Sequence, residues 1–158
     1  LPLVTFPGLE LPPIPRREFH GKGQIHAIGS KAVEAMDALG VCEYGSMSGE
    51  YPILEIIRAA TGWDITMEEF LEVGERIQNL RQAFNVREGF SPSDFVLPAR
   101  VLGKPALDSG PNAHFTIDIE TLSQAFFKEM QWDSKSGRPD HNRLVALGLD
   151  YVNEQLYE

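Results

Sequence analysis

The stretch Asp37-Ala38-Leu39-Gly40-Val41-Cys42 holds the single cysteine of the chain and places a carboxylate five positions before it. A thiolate at Cys42 is a soft ligand for a metal centre such as iron, and the Asp37 carboxylate is an acceptor for N–H groups of a bound heterocycle. Gly40, lacking a Cβ, lets the backbone approach such a ligand closely. The alternative account is structural: a small buried cysteine after a helix that happens to end in an aspartate. One cysteine does not hold an iron–sulfur cluster, so the metal account requires ligands from outside this chain. Other candidate chemistry is sparse. His20, His26, His114 and His141 show no His-Glu-x-x-His or other zinc spacing and read as solvated or capping side chains. Gly21-Lys22-Gly23 is too short for a phosphate loop and reads as a turn, and no serine sits in a GxSxG elbow. Arg76, Arg81, Arg87 and Arg100 have Glu75, Glu88 and Asp94 as sequence neighbours, which favours internal ion pairs over a cationic patch.

The element that must position Asp37 is an amphipathic run from Lys31 to Leu39, which predicts a helix stopped by Gly40 in the left-handed conformation. A carboxylate in the last turn faces the negative end of the helix dipole, and Glu34 lies three residues behind it. That local conflict is of the kind that marks a site. Downstream the periodicity is helical. Pro52 suits a first turn, with Ile53, Ile56, Ile57 and Ala60 on one face and Thr61-Gly62 as the stop. Thr66 and Glu69 form a capping box, with Ile65 and Phe70 as a hydrophobic staple. Phe70, Val73, Ile77, Leu80 and Phe84 then predict the core face of a long helix, with Glu72 and Arg76 paired outside. Asp118 caps a helix carrying Ile119, Leu122, Phe126 and Met130, and Asp140 caps a short one through Leu147, closed by Gly148. Val152 and Leu156 predict a last short helix.

The prolines at positions 2, 7, 12, 13 and 15 exclude helix and central strand from the start of the chain. We expect a proline-rich extended lead-in over residues 1–24 and a helical domain over residues 25–158. An irregular segment at about 89–116, marked by Pro92, Pro98 and Pro105, interrupts that domain. The 158 residues suffice for one domain with a core. A net charge of −9 with 14 scattered Lys and Arg argues against nucleic acid and anionic membranes as partners. One cysteine fits a reducing cytoplasm, and no apolar run reaches membrane-spanning length.

Four landmarks in order carry a resemblance. They are Asp37 to Cys42; Gly62-Trp63-Asp64 followed by Gly74-Glu75-Arg76-Ile77; Phe84-Asn85-Val86-Arg87-Glu88-Gly89 continuing to Leu97-Pro98 and Arg100; and Gln131-Trp132-Asp133, Gly137-Arg138-Pro139 and Leu147-Gly148-Leu149. On them the chain resembles the carboxy-terminal part, domains 2 and 3, of the tungsten-containing aldehyde:ferredoxin oxidoreductase family. The first landmark resembles that family's Asp-x-x-Gly-Leu-Cys pterin-binding element, with Val41 in place of leucine. The resemblance implies an all-α, multihelical fold within an enzyme that oxidises aldehydes to carboxylic acids at a tungsten (or molybdenum) bis-pterin. Electrons would then pass through a 4Fe-4S cluster to ferredoxin.

It further implies that Asp37 and Val41 contact the pterin and that Cys42 is the fourth ligand of the cluster. The other three cluster cysteines and the amino-terminal domain are absent from this chain. The expected partners are therefore that missing region of the same enzyme, ferredoxin and a second copy in a homodimer. The isolated chain is expected to hold no cofactor and to be inactive. Pro92 and Phe95 stand where the family carries Arg and Asp, leaving Asp94 alone, and Gln82 replaces a usual Arg. The rival expectation is a freestanding helical interaction module that has lost cofactor binding.

Overall fold

The structure, a computed structural model, describes residues 9, 11–42, 44–45 and 51–157. Pro2 and Pro7 of the lead-in lie outside the described residues. Among those described there are six α-helices and no strand: α1 (Lys22–Leu39), α2 (Ile53–Thr61), α3 (Met67–Arg87), α4 (Ile119–Met130), α5 (His141–Ala146) and α6 (Asp150–Tyr157). A 3-10 turn, Pro92–Asp94, follows α3. The all-α class is the one expected from the sequence.

Helix α1 begins at Lys22, well before the Lys31 that its amphipathic pattern suggests. Gly21, with φ 77°, forms the turn expected there, but Lys22 and Gly23 are already helical. Tertiary contact accounts for the extension. A Cβ on Gly23 would lie 2.5 Å from the Cβ of Ala125, so α1 and α4 touch backbone to backbone at a place that hydrophobic periodicity does not reveal.

Helix α3 starts as expected. The Glu69 amide donates to Thr66 Oγ1 at 3.2 Å, and the Thr66 amide donates to Glu69 Oε2 at 2.8 Å. Ile65 and Phe70, on either side of this cap, are both buried in one cluster. The expected core face is only partly right, however. Phe70 is buried, Val73 and Ile77 are half-buried, and Leu80 and Phe84 are 41% and 54% exposed. The buried line instead runs through Phe70, Gly74, Glu75, Asn79 and Ala83.

The cause lies in α1. A Cβ on Gly74 would sit 1.7 Å from the Lys31 carbonyl oxygen, so the glycine is what lets the two helices close. The side chains beside that contact turn inward and carry Leu80 and Phe84 outward. Burying Glu75 requires partners, and it has two. Lys31 Nζ donates to Oε2 and Arg143 Nε to Oε1, each at 2.6 Å, tying α1, α3 and α5 together. Burial alone would raise the Glu75 pKa; the Arg143 and Lys31 hydrogen bonds outweigh it, and the net shift is downward. Asn79, fully buried, accepts from Trp132 Nε1 at 2.9 Å and donates to the Glu75 carbonyl at 2.9 Å.

Two apolar clusters result. One joins Ala32, Ala35 and Met36 of α1 to Ile53 and Ile57 of α2 and Phe70 of α3. The other joins Ala83 of α3 to Leu144, Leu147, Leu149, Val152 and Leu156 around α5 and α6. Asp118 and Asp140 cap α4 and α5, accepting from the Thr121 amide at 3.1 Å and the Arg143 amide at 2.9 Å. Between α3 and α4 the chain is irregular, and Asp94 is spent locally on a capping box with Ser91. Gln82 Nε2 donates to the Gly137 carbonyl at 2.8 Å, fixing the turn before Pro139.

Candidate functional site

Asp37 lies in the last turn of α1, and Gly40, with φ 70°, ends that helix while its amide donates to the Asp37 carbonyl at 3.1 Å. Among the described residues the space around Gly40 is open: no atom outside its immediate chain neighbours would lie within 4 Å of a Cβ placed there. Asp37, Leu39 and Gly40 are exposed, and Val41 is half-buried and packs against the α1–α2–α3 cluster. Cys42 follows as an exposed free thiol. The structure thus anchors Val41 in the core and leaves Asp37 and Cys42 uncovered on either side of the helix stop.

The local electrostatics sharpen the conflict seen in the sequence. Glu34 is paired with Arg81 of α3, so the like charge behind Asp37 is compensated. The Asp37 carboxylate has no ion pair or hydrogen bond among the described residues, and no basic side chain occupies the last turn of α1. An uncompensated carboxylate at the negative end of a helix contributes nothing to the stability of that helix. Exposure of Cys42 also removes the account in which it is a small buried hydrophobe.

These residues suit a ligand shared with other sequence. Among the described residues no group of three His, Cys, Asp or Glu is arranged to hold a metal ion. Cys42 could supply one thiolate to a cluster completed elsewhere, and Asp37 an acceptor for ring N–H groups beside the open Gly40. The histidines stay apart from this turn. His20 pairs with Glu18 at 3.0 Å, His26 lies against Phe126 at 5.0 Å, and His141 meets the Tyr157 ring at 5.8 Å.

The arginines divide. Arg76 pairs with Glu72 at 2.8 Å, as expected, Arg81 with Glu34, and Arg87 with Glu88 at 2.9 Å. Glu75 and Asp94 are committed elsewhere, to Lys31 with Arg143 and to Ser91 respectively. Arg100 leaves the set and lines a cleft with Arg16, Arg17 and Lys22. Sequence reasoning missed that grouping; the adjacent Arg16-Arg17 after the prolines was its one local signal.

An all-helical domain with one exposed thiol and, among the described residues, one unpartnered carboxylate at a helix end is the class that fold and site define. The chain belongs to the family described as "Aldehyde ferredoxin oxidoreductase, domains 2 & 3", whose pattern matches residues 5–149. It is 32% identical over 116 residues to the tungsten-containing aldehyde ferredoxin oxidoreductase of Pyrococcus furiosus, covering 72% of this chain and 19% of that protein. The counterpart in Thermococcus kodakarensis is 31% identical over 116 residues, again covering 72% of this chain and 19% of the relative. The chain therefore spans about a fifth of the length of these relatives, which are oxidoreductases. Among solved structures it is similar to the active site complex BamBC of benzoyl coenzyme A reductase in complex with 1,5-dienoyl-CoA. There the TM-score is 0.67 at 22% identity, covering 95% of this chain and 22% of the other, which shows a common fold. No helix among the described residues is long and apolar enough to cross a membrane.

Proposed function

We propose that this chain forms one wall of the cofactor site of an aldehyde ferredoxin oxidoreductase, with the rest of the site supplied by other parts of a larger polypeptide. The observation that carries the reading is the turn at the end of α1, where an Asp37 carboxylate unpaired among the described residues and an exposed Cys42 thiol flank a left-handed Gly40 that is open on the same count. In this reading the Asp37 carboxylate accepts hydrogen bonds from N–H groups of a pterin and holds the ring against the helix end. Gly40 leaves room for the ring edge, and Val41, anchored in the core, fixes the backbone there. Cys42, as thiolate, ligates one iron of a 4Fe-4S cluster. When bound, a tungsten or molybdenum bis-pterin would supply the two-electron acceptor for aldehyde oxidation to carboxylate, and the cluster would relay electrons singly to ferredoxin. The names of the curated relatives support tungsten and ferredoxin, and the single cysteine of the chain supports a reducing cytoplasm.

The isolated chain has one cluster ligand and is colourless and inactive in this reading; a homodimer belongs to the full-length protein. A second reading, a helical interaction module without cofactor, draws on the exposed apolar side chains Leu80, Phe84, Phe95 and Val96. One experiment separates the two. Purified full-length protein is assayed for aldehyde-dependent reduction of ferredoxin, beside Asp37→Asn and the isolated chain. Activity in the full-length protein, reduced at least about tenfold in Asp37→Asn by loss of a charge-assisted acceptor and missing from the isolated chain, supports the enzyme reading. Activity in the isolated chain, or full activity in Asp37→Asn, would contradict it.

A further inference from the structure

A cleft of about 350 Å³ opens between the segment preceding α1 and the loop that leads into α4. Four cations line it, Arg16, Arg17, Lys22 and Arg100, and among the described residues no carboxylate does. In a chain of net charge −9 that grouping runs against the overall balance. Six cations on the helices behave differently, while Lys128 on α4 has no carboxylate partner among the described residues. Lys31, Arg58, Arg76, Arg81, Arg87 and Arg143 each have a carboxylate partner. The four around the cleft have none among the described residues.

Their contacts orient them without neutralising them. Arg17 donates to the Pro111 carbonyl and Lys22 to the Arg16 carbonyl, while Arg100 Nη1 reaches the Pro105 carbonyl only at 3.4 Å. Backbone carbonyls hold a guanidinium in place but leave its charge. Nearby acids are engaged locally. The Glu18 carboxylate accepts from the Phe19 and His20 amides at 2.9 and 3.0 Å, and Asp118 is occupied in capping α4. Lys22 is also the first residue of α1, a helix with no side-chain cap and no acidic residue in its first turn, so the positive end of its dipole adds to the same region.

The floor is apolar. Leu102, Ile117 and Leu122 line it, and the Phe19 and Phe115 rings stack beside it at 6.0 Å with the Arg17 guanidinium 5.3 Å from the Phe115 ring centre. The size lies at the lower end of small-ligand pockets, on the order of 300–1,000 Å³. We propose that this cleft binds an organic phosphate, an anion of two or more charges whose carbon part is apolar or flat. The guanidinium forks of Arg16 and Arg100 take the phosphate oxygens, and the carbon part covers Leu102 and Ile117. This site is independent of Asp37 and Cys42.

The test is calorimetric titration of the full-length protein with 1-naphthyl phosphate, ADP and inorganic phosphate. Saturable binding of either ester, tighter than that of inorganic phosphate, is the expected result. In Arg16→Ala/Arg100→Ala it should weaken at least about tenfold, the loss expected for charge-assisted contacts. Arg16→Lys/Arg100→Lys, which keeps the charge, should restore part of it, and circular dichroism should show both variants folded, since the two side chains are exposed and have no carboxylate partner among the described residues. Failure of both esters to bind would assign the cleft to a carboxylate-bearing segment of the larger protein and overturn the proposal. Equal affinity for inorganic phosphate, or binding unchanged in the double alanine variant, would overturn it as well.

Discussion

Asp37 sits where elementary electrostatics disfavours a carboxylate, at the negative end of an 18-residue helix with no cation in the last turn. Its neighbour in charge, Glu34, is paired with Arg81, whereas Asp37 has no partner among the described residues. A residue of that kind is explained more readily by what it binds than by what it stabilises. The prediction at this scale is a separation of two readouts. Asp37→Asn in the full-length protein should leave the thermal unfolding midpoint unchanged or slightly raised, because an unfavourable interaction with the dipole is removed. Its bound pterin, measured by fluorescence of the released and oxidised cofactor, should fall. A lowered midpoint with unchanged pterin would make Asp37 a structural residue. The helix stop was legible in the sequence because it is local, a glycine after an amphipathic run, whereas the role of Asp37 and Cys42 rested on the resemblance carried by four landmarks along the chain. The basic cleft was not legible, since Arg16 and Arg100 meet only through the path of the intervening chain.

At the scale of elements, α1 is held close against α3 by Gly74 and by the Lys31–Glu75–Arg143 triad. Gly74→Ala would drive a Cβ to 1.7 Å from a backbone oxygen that cannot rotate away, so α1 and α3 must separate. A destabilisation of about 3 kcal/mol or more is expected for such overpacking, read from denaturant unfolding. Glu75→Ala should cost about 3–5 kcal/mol, because Lys31 and Arg143 lose the carboxylate that compensates their partial burial. The pH dependence follows from the direction of the shift. Glu75 is held below its ordinary value of 4.5 in the folded protein, so its contribution is full above that value. It is lost as the pH falls through the lower folded value, where the folded state must also take up the proton. Glu75→Gln should therefore flatten the acid limb of the stability profile and leave the alkaline limb alone. An acid limb as steep as in the parent protein would assign acid sensitivity to other carboxylates. Helix starts were readable in advance, since Thr66, Asp118 and Asp140 act through hydrogen bonds within their own first turns. The orientation of α3 was not. Apolar spacing alone puts Leu80 and Phe84 inside, whereas the close approach of α1 puts Glu75 and Asn79 there instead.

For the whole molecule, the apolar side chains left uncovered are as informative as those inside. Leu80, Phe84 and Tyr151 border a shallow apolar depression, and Phe90, Phe95, Val96 and Leu97 stand exposed after α3. The chain spans about a fifth of its relatives' length, and under the proposed function such faces would contact the rest of a larger polypeptide. Expressed alone, the chain should self-associate, and Leu80→Gln/Phe84→Gln should shift sedimentation toward the monomer; a monomeric parent chain would count against that assignment. Under the proposed function the same incompleteness governs the site, because Cys42 would be one ligand and a four-iron cluster needs four. The most direct measurement is iron per polypeptide in the full-length protein, with cluster spectra, before and after Cys42→Ala. The account predicts about four irons in the parent and loss of the four-iron signal with a marked fall in iron in the variant. Iron content and spectrum unchanged by Cys42→Ala would contradict it.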